Sequence, residues 1–202
     1  MLLQAGRKLV CAARMTRGES LHRDFFARPS PEVAAALIGC TLLVDEAGGV
    51  IVETEAYDPS DPASHSFRGP TPRNRAMFGP VGHAYVYRSY GIHWCLNLVC
   101  GERGSAVLIR AVEPVHGLGV MRARRGVEDV RKLCSGPGRL CQALAITSEH
   151  EGRPLDAPPF RLEQRAGVPP PVRTSRRVGL TKGVETLWRY TLEGSPFVSR
   201  AG

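Results

Sequence analysis

The stretch Ile51-Val52-Glu53-Thr54-Glu55-Ala56-Tyr57 constrains this chain more than any other. It is rich in β-branched residues and alternates in character, which predicts a strand. Period-2 alternation puts Ile51, Glu53, Glu55 and Tyr57 on one face and Val52, Thr54 and Ala56 on the other. A buried carboxylate is costly unless it is paired or hydrogen-bonded. So either the acid face is solvated, or the acids are there for chemistry. Their side chains start about 7 Å apart on the strand, and paired acids are the equipment of glycosidic cleavage. From the strand alone, a solvated face is the simpler reading.

The surrounding pattern gives the fold class. Ser30-Pro31-Glu32 is a helix start before Val33–Leu37, with Gly39 fitting its end. Strands are expected at about 41–45 and 50–57, followed by a long ordered loop over 58–82, a length that usually carries function. Residues 83–100 read as strand, turn, strand, with the turn at Ser89-Tyr90-Gly91, and Gly101–Gly104 turns the chain into a strand over 106–113. A helix is expected over 114–125, closed by Gly126, and another over 139–146. Residues 150–175 show little periodicity and read as irregular surface chain. Short strands are expected near 177–192 and 196–199. Strands joined by hairpins with few helices between them indicate an α+β fold around an antiparallel sheet.

The length of 202 residues suits one compact domain. No apolar run is long enough to span a bilayer. The net charge of +8 favours a polyanionic partner, nucleic acid first. Arginine carries that charge, since Lys8, Lys132 and Lys182 are the only lysines. The six cysteines form no C-x-x-C pair, which predicts reduced, buried thiols and no zinc site. The start of the chain holds Arg7, Lys8, Arg14 and Arg17 against a single acid, Glu19. Residues 1–20 are therefore expected to form a disordered basic extension, with the domain proper over 21–202.

Several residues do not fit a purely structural role. Tyr57, Tyr85, Tyr87, Tyr90 and Trp94 cluster in sequence with His65, His83 and His93. Tyr85 can be a core residue whose hydroxyl finds a partner. Tyr90, at a turn tip, is expected to be exposed and able to stack on bases. Asn97 shares a strand face with His93, Cys95 and Val99. Arg110 lies in an apolar strand and needs a carboxylate partner, for which Glu53 or Glu55 is the obvious candidate. Three basic segments could hold phosphates: Thr71-Pro72-Arg73-Asn74-Arg75, Ser135-Gly136-Pro137-Gly138-Arg139, and Arg176-Arg177 before Val178-Gly179.

These motifs occur in the order found in a known family. Glu53–Tyr57, Thr71–Arg75, Tyr85-Val86-Tyr87, Tyr90-Gly91, Asn97, Arg110–Pro114, Ser135–Pro137 through Leu140–Leu144, and Gly194-Ser195-Pro196 together resemble the alkyladenine (3-methyladenine) DNA glycosylases. The resemblance covers about residues 23 to 199. It implies a curved, half-open, barrel-like sheet with peripheral helices. It implies that Glu55 is the general base that activates water, with Arg110 and the main-chain carbonyl of Val178 helping to hold that water. Tyr57, His65 and Tyr87 would wall the base pocket, with the His65 backbone reading the base edge. Asn97 would disfavour guanine's exocyclic amine, and Tyr90 would fill the gap left by a flipped nucleotide. Arg73, Arg75, His93, Arg139 and Gly179 would meet the DNA backbone. The chain departs from the pattern in a shorter loop between Tyr57 and His65 than in vertebrate members, and in His93, where an aromatic is common.

The expected activity is a monofunctional glycosylase that flips alkylated or deaminated purines out of damaged duplex DNA and hydrolyses the N-glycosidic bond. Candidate lesions are 3-methyladenine, 7-methylguanine, hypoxanthine and etheno adducts. No lysine falls in the site motifs, so direct hydrolysis is expected rather than a Schiff base with strand cleavage. No metal or other cofactor is expected, and no membrane association. A monomer is expected, cytoplasmic and nucleoid-associated in a bacterium, or nuclear or mitochondrial in a eukaryote. Two other readings are a non-catalytic nucleic-acid-binding module on a related fold and a small-molecule nucleosidase. The first leaves the strand acids and Arg110 unexplained.

Overall fold

The computed structural model describes residues 18–199. The basic extension expected over residues 1–20, and Cys11 within it, lie almost wholly outside them. In chain order the described elements are α1 (Ser30–Leu37), β1 (Thr41–Val44), β2 (Ala47–Tyr57), β3 (Ala84–Ser89), β4 (His93–Val99), β5 (Ala106–His116), α2 (Leu118–Arg125), α3 (Pro137–Ala143), β6 (Phe160–Glu163), β7 (Val172–Ser175) and β8 (Arg189–Leu192). The strands form one curled antiparallel sheet in the order β3-β4-β5-β2-β1-β6, with β8 also on β2 and β7 on β8. The α+β half-barrel expected from the sequence is the fold observed.

The spine of the sheet is β2. One edge pairs along its length with β5, while the other pairs first with β1 and then with β8. Crowding on both edges explains Gly48-Gly49: a Cβ at Gly48 would stand 2.0 Å from the Leu42 carbonyl oxygen, and one at Gly49 1.9 Å from that of Glu113. Only bare backbone fits between the two neighbours.

Alternation sorts the residues between two faces. Thr54, Ala56, Ala84, Val86, Leu96, Leu98, Val107 and Ile109 point toward α1 and α3, and all but Thr54 join the main apolar core. The hydroxyl of Thr54 donates to the Ala34 carbonyl in α1 at 2.9 Å. The opposite face carries Glu53, Glu55, Tyr57, Tyr85, Tyr87, Cys95, Asn97, Leu108 and Arg110. Ile51 was expected among the acids, but it lies in the main core together with its partner Val112. The β2–β5 register is irregular between Ile51 and Thr54, and such an irregularity changes which face the following residues occupy.

Other boundaries also shift. Strand β5 continues through Pro114 to His116, because Val50 and Gly49 of the long β2 still pair with Glu113 and Pro114. The helix expected from 114 therefore begins at Leu118, after Gly117 at φ +70°. The helix expected over 139–146 runs from Pro137 to Ala143. Segment 150–175 is not wholly irregular: β6 pairs with β1 and β7 with β8. Each has only four residues, too few to show a period among prolines and arginines. Of the strands expected over 177–192 only Arg189–Leu192 forms, and 196–199 forms none.

Cys40, Cys95, Cys100, Cys134 and Cys141 are free and buried, as expected. Burial raises all five thiol pKa values, those of Cys100 and Cys134 to about 12. Among the described residues no three His, Cys, Asp or Glu side chains gather as a metal-ligand set, and no helix is long and apolar enough to cross a membrane.

Candidate active site

The polar face of the sheet opens into a cavity of about 560 Å³, a size typical of small-molecule sites. Tyr57, His65, Tyr85 and Tyr87 wall it, and Cys95, Asn97, Leu108, Arg110, Val178 and Gly179 complete much of the lining. Strand pleating puts Tyr85 and Tyr87 on one face, and their rings stack at 5.6 Å. His65 meets Tyr87 edge-on at 4.5 Å, and its Nδ1 lies 2.8 Å from the Tyr85 hydroxyl. The ring's burial, and then Arg73, lower its pKa, which favours the neutral imidazole.

Glu53 and Glu55 are both fully buried, so the solvated-face reading fails. Arg110 joins them, donating from Nε to Glu53 Oε1 at 2.8 Å and from Nη1 to Glu55 Oε2 at 3.2 Å. Glu55 Oε2 also accepts the Tyr57 hydroxyl at 2.8 Å, and Oε1 accepts the Val178 N–H at 2.7 Å. All three donors line the cavity, so Glu55 lies directly behind its wall. Burial, then the Glu55 charge, raise the Tyr57 pKa well above the ordinary value, which keeps this phenol a donor. The Val178 main chain thus reaches Glu55 through its N–H, a contact that the expected role of its carbonyl did not foresee.

Glu53 has four donors: Arg110 Nε, Arg189 Nε at 2.8 Å, the Ser199 N–H at 2.5 Å and the Ser199 hydroxyl at 2.9 Å. Burial alone would raise its pKa, but Arg110, the Ser199 N–H and Arg189 outweigh burial and lower it. A carboxyl with a folded-state pKa below its unfolded value of about 4.5 stabilises the fold above that pH and loses the contribution as pH falls through the folded value. Thermal melts should therefore show a Tm that falls below about pH 4.5, and less steeply in Glu53→Gln. A wild-type Tm unchanged down to pH 3 would contradict this.

The remaining expected residues divide. Tyr90 is 89% exposed and sits at φ +48° before Gly91 at +70° in the β3–β4 turn. That conformation is unfavourable for a large side chain, so the fold gains nothing from a tyrosine there. Asn97 lines the cavity with its amide nitrogen fixed on the Tyr85 carbonyl at 3.1 Å. Arg73 reaches the cavity and donates to the Arg88 carbonyl at 2.9 Å. His93, Arg139 and Gly179 share a neighbouring recess with Ser135–Gly138. Arg75 is exposed and lines neither space.

Arg177, grouped with the phosphate-holding candidates, is buried instead. It is paired with Asp61, donates to the Ala56 carbonyl at 2.9 Å and lies over the Tyr57 ring at 4.7 Å. Its anchoring to β2 fixes the adjacent Val178 against Glu55. Asn74 was also missed as an organiser. Its carboxamide accepts from the Thr71 N–H and donates to the carbonyls of His65 and Gly69, which ties the loop to the cavity wall. The Asn between Arg73 and Arg75 was the available signal; Ser199 and Arg189 had none.

The family model described as Methylpurine-DNA glycosylase (MPG) matches residues 24–196. The chain belongs to the methylpurine-DNA glycosylase family. A protein from Agrobacterium fabrum named "Putative 3-methyladenine DNA glycosylase" is 59% identical over 180 residues, covering 88% of this chain and 91% of the relative. A protein of the same name from Rhodopseudomonas palustris (strain BisB18) is 61% identical over 190 residues, covering 93% and 94%. Another from Nitrosospira multiformis is 59% identical over 177 residues, covering 87% and 91%. Membership in the methylpurine-DNA glycosylases makes this chain a DNA glycosylase, a repair hydrolase of N-glycosyl bonds that handles alkylation damage.

Proposed function

We propose that the chain removes alkylated and deaminated purines from duplex DNA by direct hydrolysis, with Glu55 activating the water. The observation that carries this reading is the buried Glu55 carboxylate, held by Tyr57, Arg110 and Val178 behind a cavity walled by aromatic rings. The names of the relatives, which specify 3-methyladenine, support the same substrate class.

In this mechanism the flipped base enters between Tyr57, His65 and Tyr87. A water binds at Glu55 Oε1, which takes the Val178 N–H and keeps a second lone pair, and Arg110 and the Val178 carbonyl are its other ligands. Water oxygen bonds to C1′ as the C1′–N bond breaks. The water proton passes to Glu55, and the bonding pair leaves with the base. A cationic alkylated purine departs neutral, and the electron-rich rings favour it while it is bound. A neutral lesion such as hypoxanthine relies more on hydrogen bonds at its edge, including the His65 main chain. The fixed amide of Asn97 narrows the space for guanine's exocyclic amine.

Tyr90 is the wedge that holds the gap, and Arg73, Arg75, His93, Arg139 and Gly179 meet the backbone. Tyr90→Ala should leave Tm unchanged and weaken binding to a lesion duplex by about 1–3 kcal/mol, the worth of one base–aromatic stack. The function is tested with a panel of duplexes, each holding one of the four lesions, scored for free base and for intact abasic strand. Base release without strand scission, falling steeply with salt, is expected. Binding without release, or release from free nucleosides as fast as from duplex, would overturn the proposal.

A further inference from the structure

Glu53 does not line the cavity, yet it is as buried as Glu55 and takes more hydrogen bonds. An arginine fork normally meets one carboxylate with two parallel bonds. Here the fork of Arg110 is divided three ways: Nε on Glu53, Nη1 on Glu55 and Nη2 on the Ser199 hydroxyl at 3.2 Å. Glu53 is itself pinned by Arg189 and by both donors of Ser199. The division leaves Glu55 with a single, longer bond from a guanidinium that could otherwise close on both of its oxygens.

We propose that Glu53 is a positioning residue for base release: by holding Arg110 at Nε, it keeps the guanidinium from engaging Glu55 with two bonds, and so leaves the second lone pair of Glu55 Oε1 for the attacking water. The inference rests on Glu55 being the base that activates water. Without Glu53, Arg110 swings onto Glu55, occupies the lone pair that water needs and stabilises the carboxylate, which weakens it as a base. The groups facing Glu55 are Glu53 and Tyr57 on β2, Arg110 on β5, Arg189 opposite it on β8, Tyr87 and Cys95 on β3 and β4, and Arg177 beside Val178. Of these, Glu53 is the one other acid. Its removal therefore shifts the local charge toward the cations.

The test is single-turnover release of hypoxanthine from a duplex, set beside equilibrium binding of the same duplex. Glu53→Gln should bind that duplex as the wild type does and release base about tenfold or more slowly. Glu53→Asp retains the charge and should return the rate toward that of the wild type. A purely structural role would lower Tm and binding together with the rate, not the rate alone. Ser199→Ala removes a hydroxyl that touches both Glu53 and Arg110 at the rim of the site, and it provides a reading even if Glu53→Gln does not fold. It should slow release several-fold at unchanged affinity. A folded Glu53→Gln with the wild-type release rate overturns the inference, as does a wild-type rate in Ser199→Ala should Glu53→Gln fail to fold. Glu55→Gln measured alongside separates the two readings. If it is inactive while Glu53→Gln behaves as wild type, only this inference fails. If it releases base normally, the assignment of Glu55 fails.

Discussion

Glu55→Gln is expected to cut base release by about 10²–10⁴-fold, the usual worth of a positioned general base, with little change in affinity for the lesion duplex. The substitution is nearly isosteric. The Val178 N–H can still donate to the amide oxygen, and the Tyr57 hydroxyl can rotate to accept from the new amide nitrogen. Arg110 retains Glu53. The surroundings should therefore hold, and the loss should fall on the chemical step, as single-turnover release set beside equilibrium binding would show. Release close to the wild-type rate would remove Glu55 from the mechanism.

Arg110→Met is expected to cost more in stability than any other change in the site. Arg110 is 7% exposed and bridges two carboxylates that are both fully buried. Removing one partner of a buried ion pair typically costs about 3–5 kcal/mol, because it strands the opposite charge. Here Glu55 loses its cation and Glu53 keeps only Arg189 and Ser199. In a domain of this size the loss corresponds to a Tm lower by roughly 6–20 °C, with base release abolished. Arg110→Lys should recover part of the stability and little of the activity, since one ammonium cannot reproduce the divided fork. A melt within about 2 °C of wild type would show that the two acids do not depend on Arg110.

Much of this architecture was legible in the residues. The alternation of Tyr85 and Tyr87, and of Cys95 and Asn97 between Leu96 and Leu98, placed them correctly because β3 and β4 pair without irregularity. The polar face of β2 was legible from Glu53 onward, and Ile51 was not, because a register irregularity leaves no mark in composition. Arg110 pointed to the acids because a cation inside an apolar strand must be met by a carboxylate to be buried at all. The contributions of Arg177, Arg189 and Ser199 were hidden for a different reason. They arrive from loops and a short strand more than 120 residues downstream of Glu55 or Glu53, and no local pattern encodes such a meeting. Four-residue strands such as β6 and β7 escape detection in the same way, since only their partners define them.

The buried thiols have a chemical consequence. The thiolate is the form that attacks an electrophile, and a thiol with a pKa near 12 exposes almost none of it at neutral pH. The methylating agents that create lesions in DNA are electrophiles of this kind. Among the described residues, Cys40, Cys100, Cys134 and Cys141 are buried away from the cavity and burial holds them as thiols, while Cys95 reaches the cavity wall. Alkylation at those four sulfurs therefore requires local opening of the fold first.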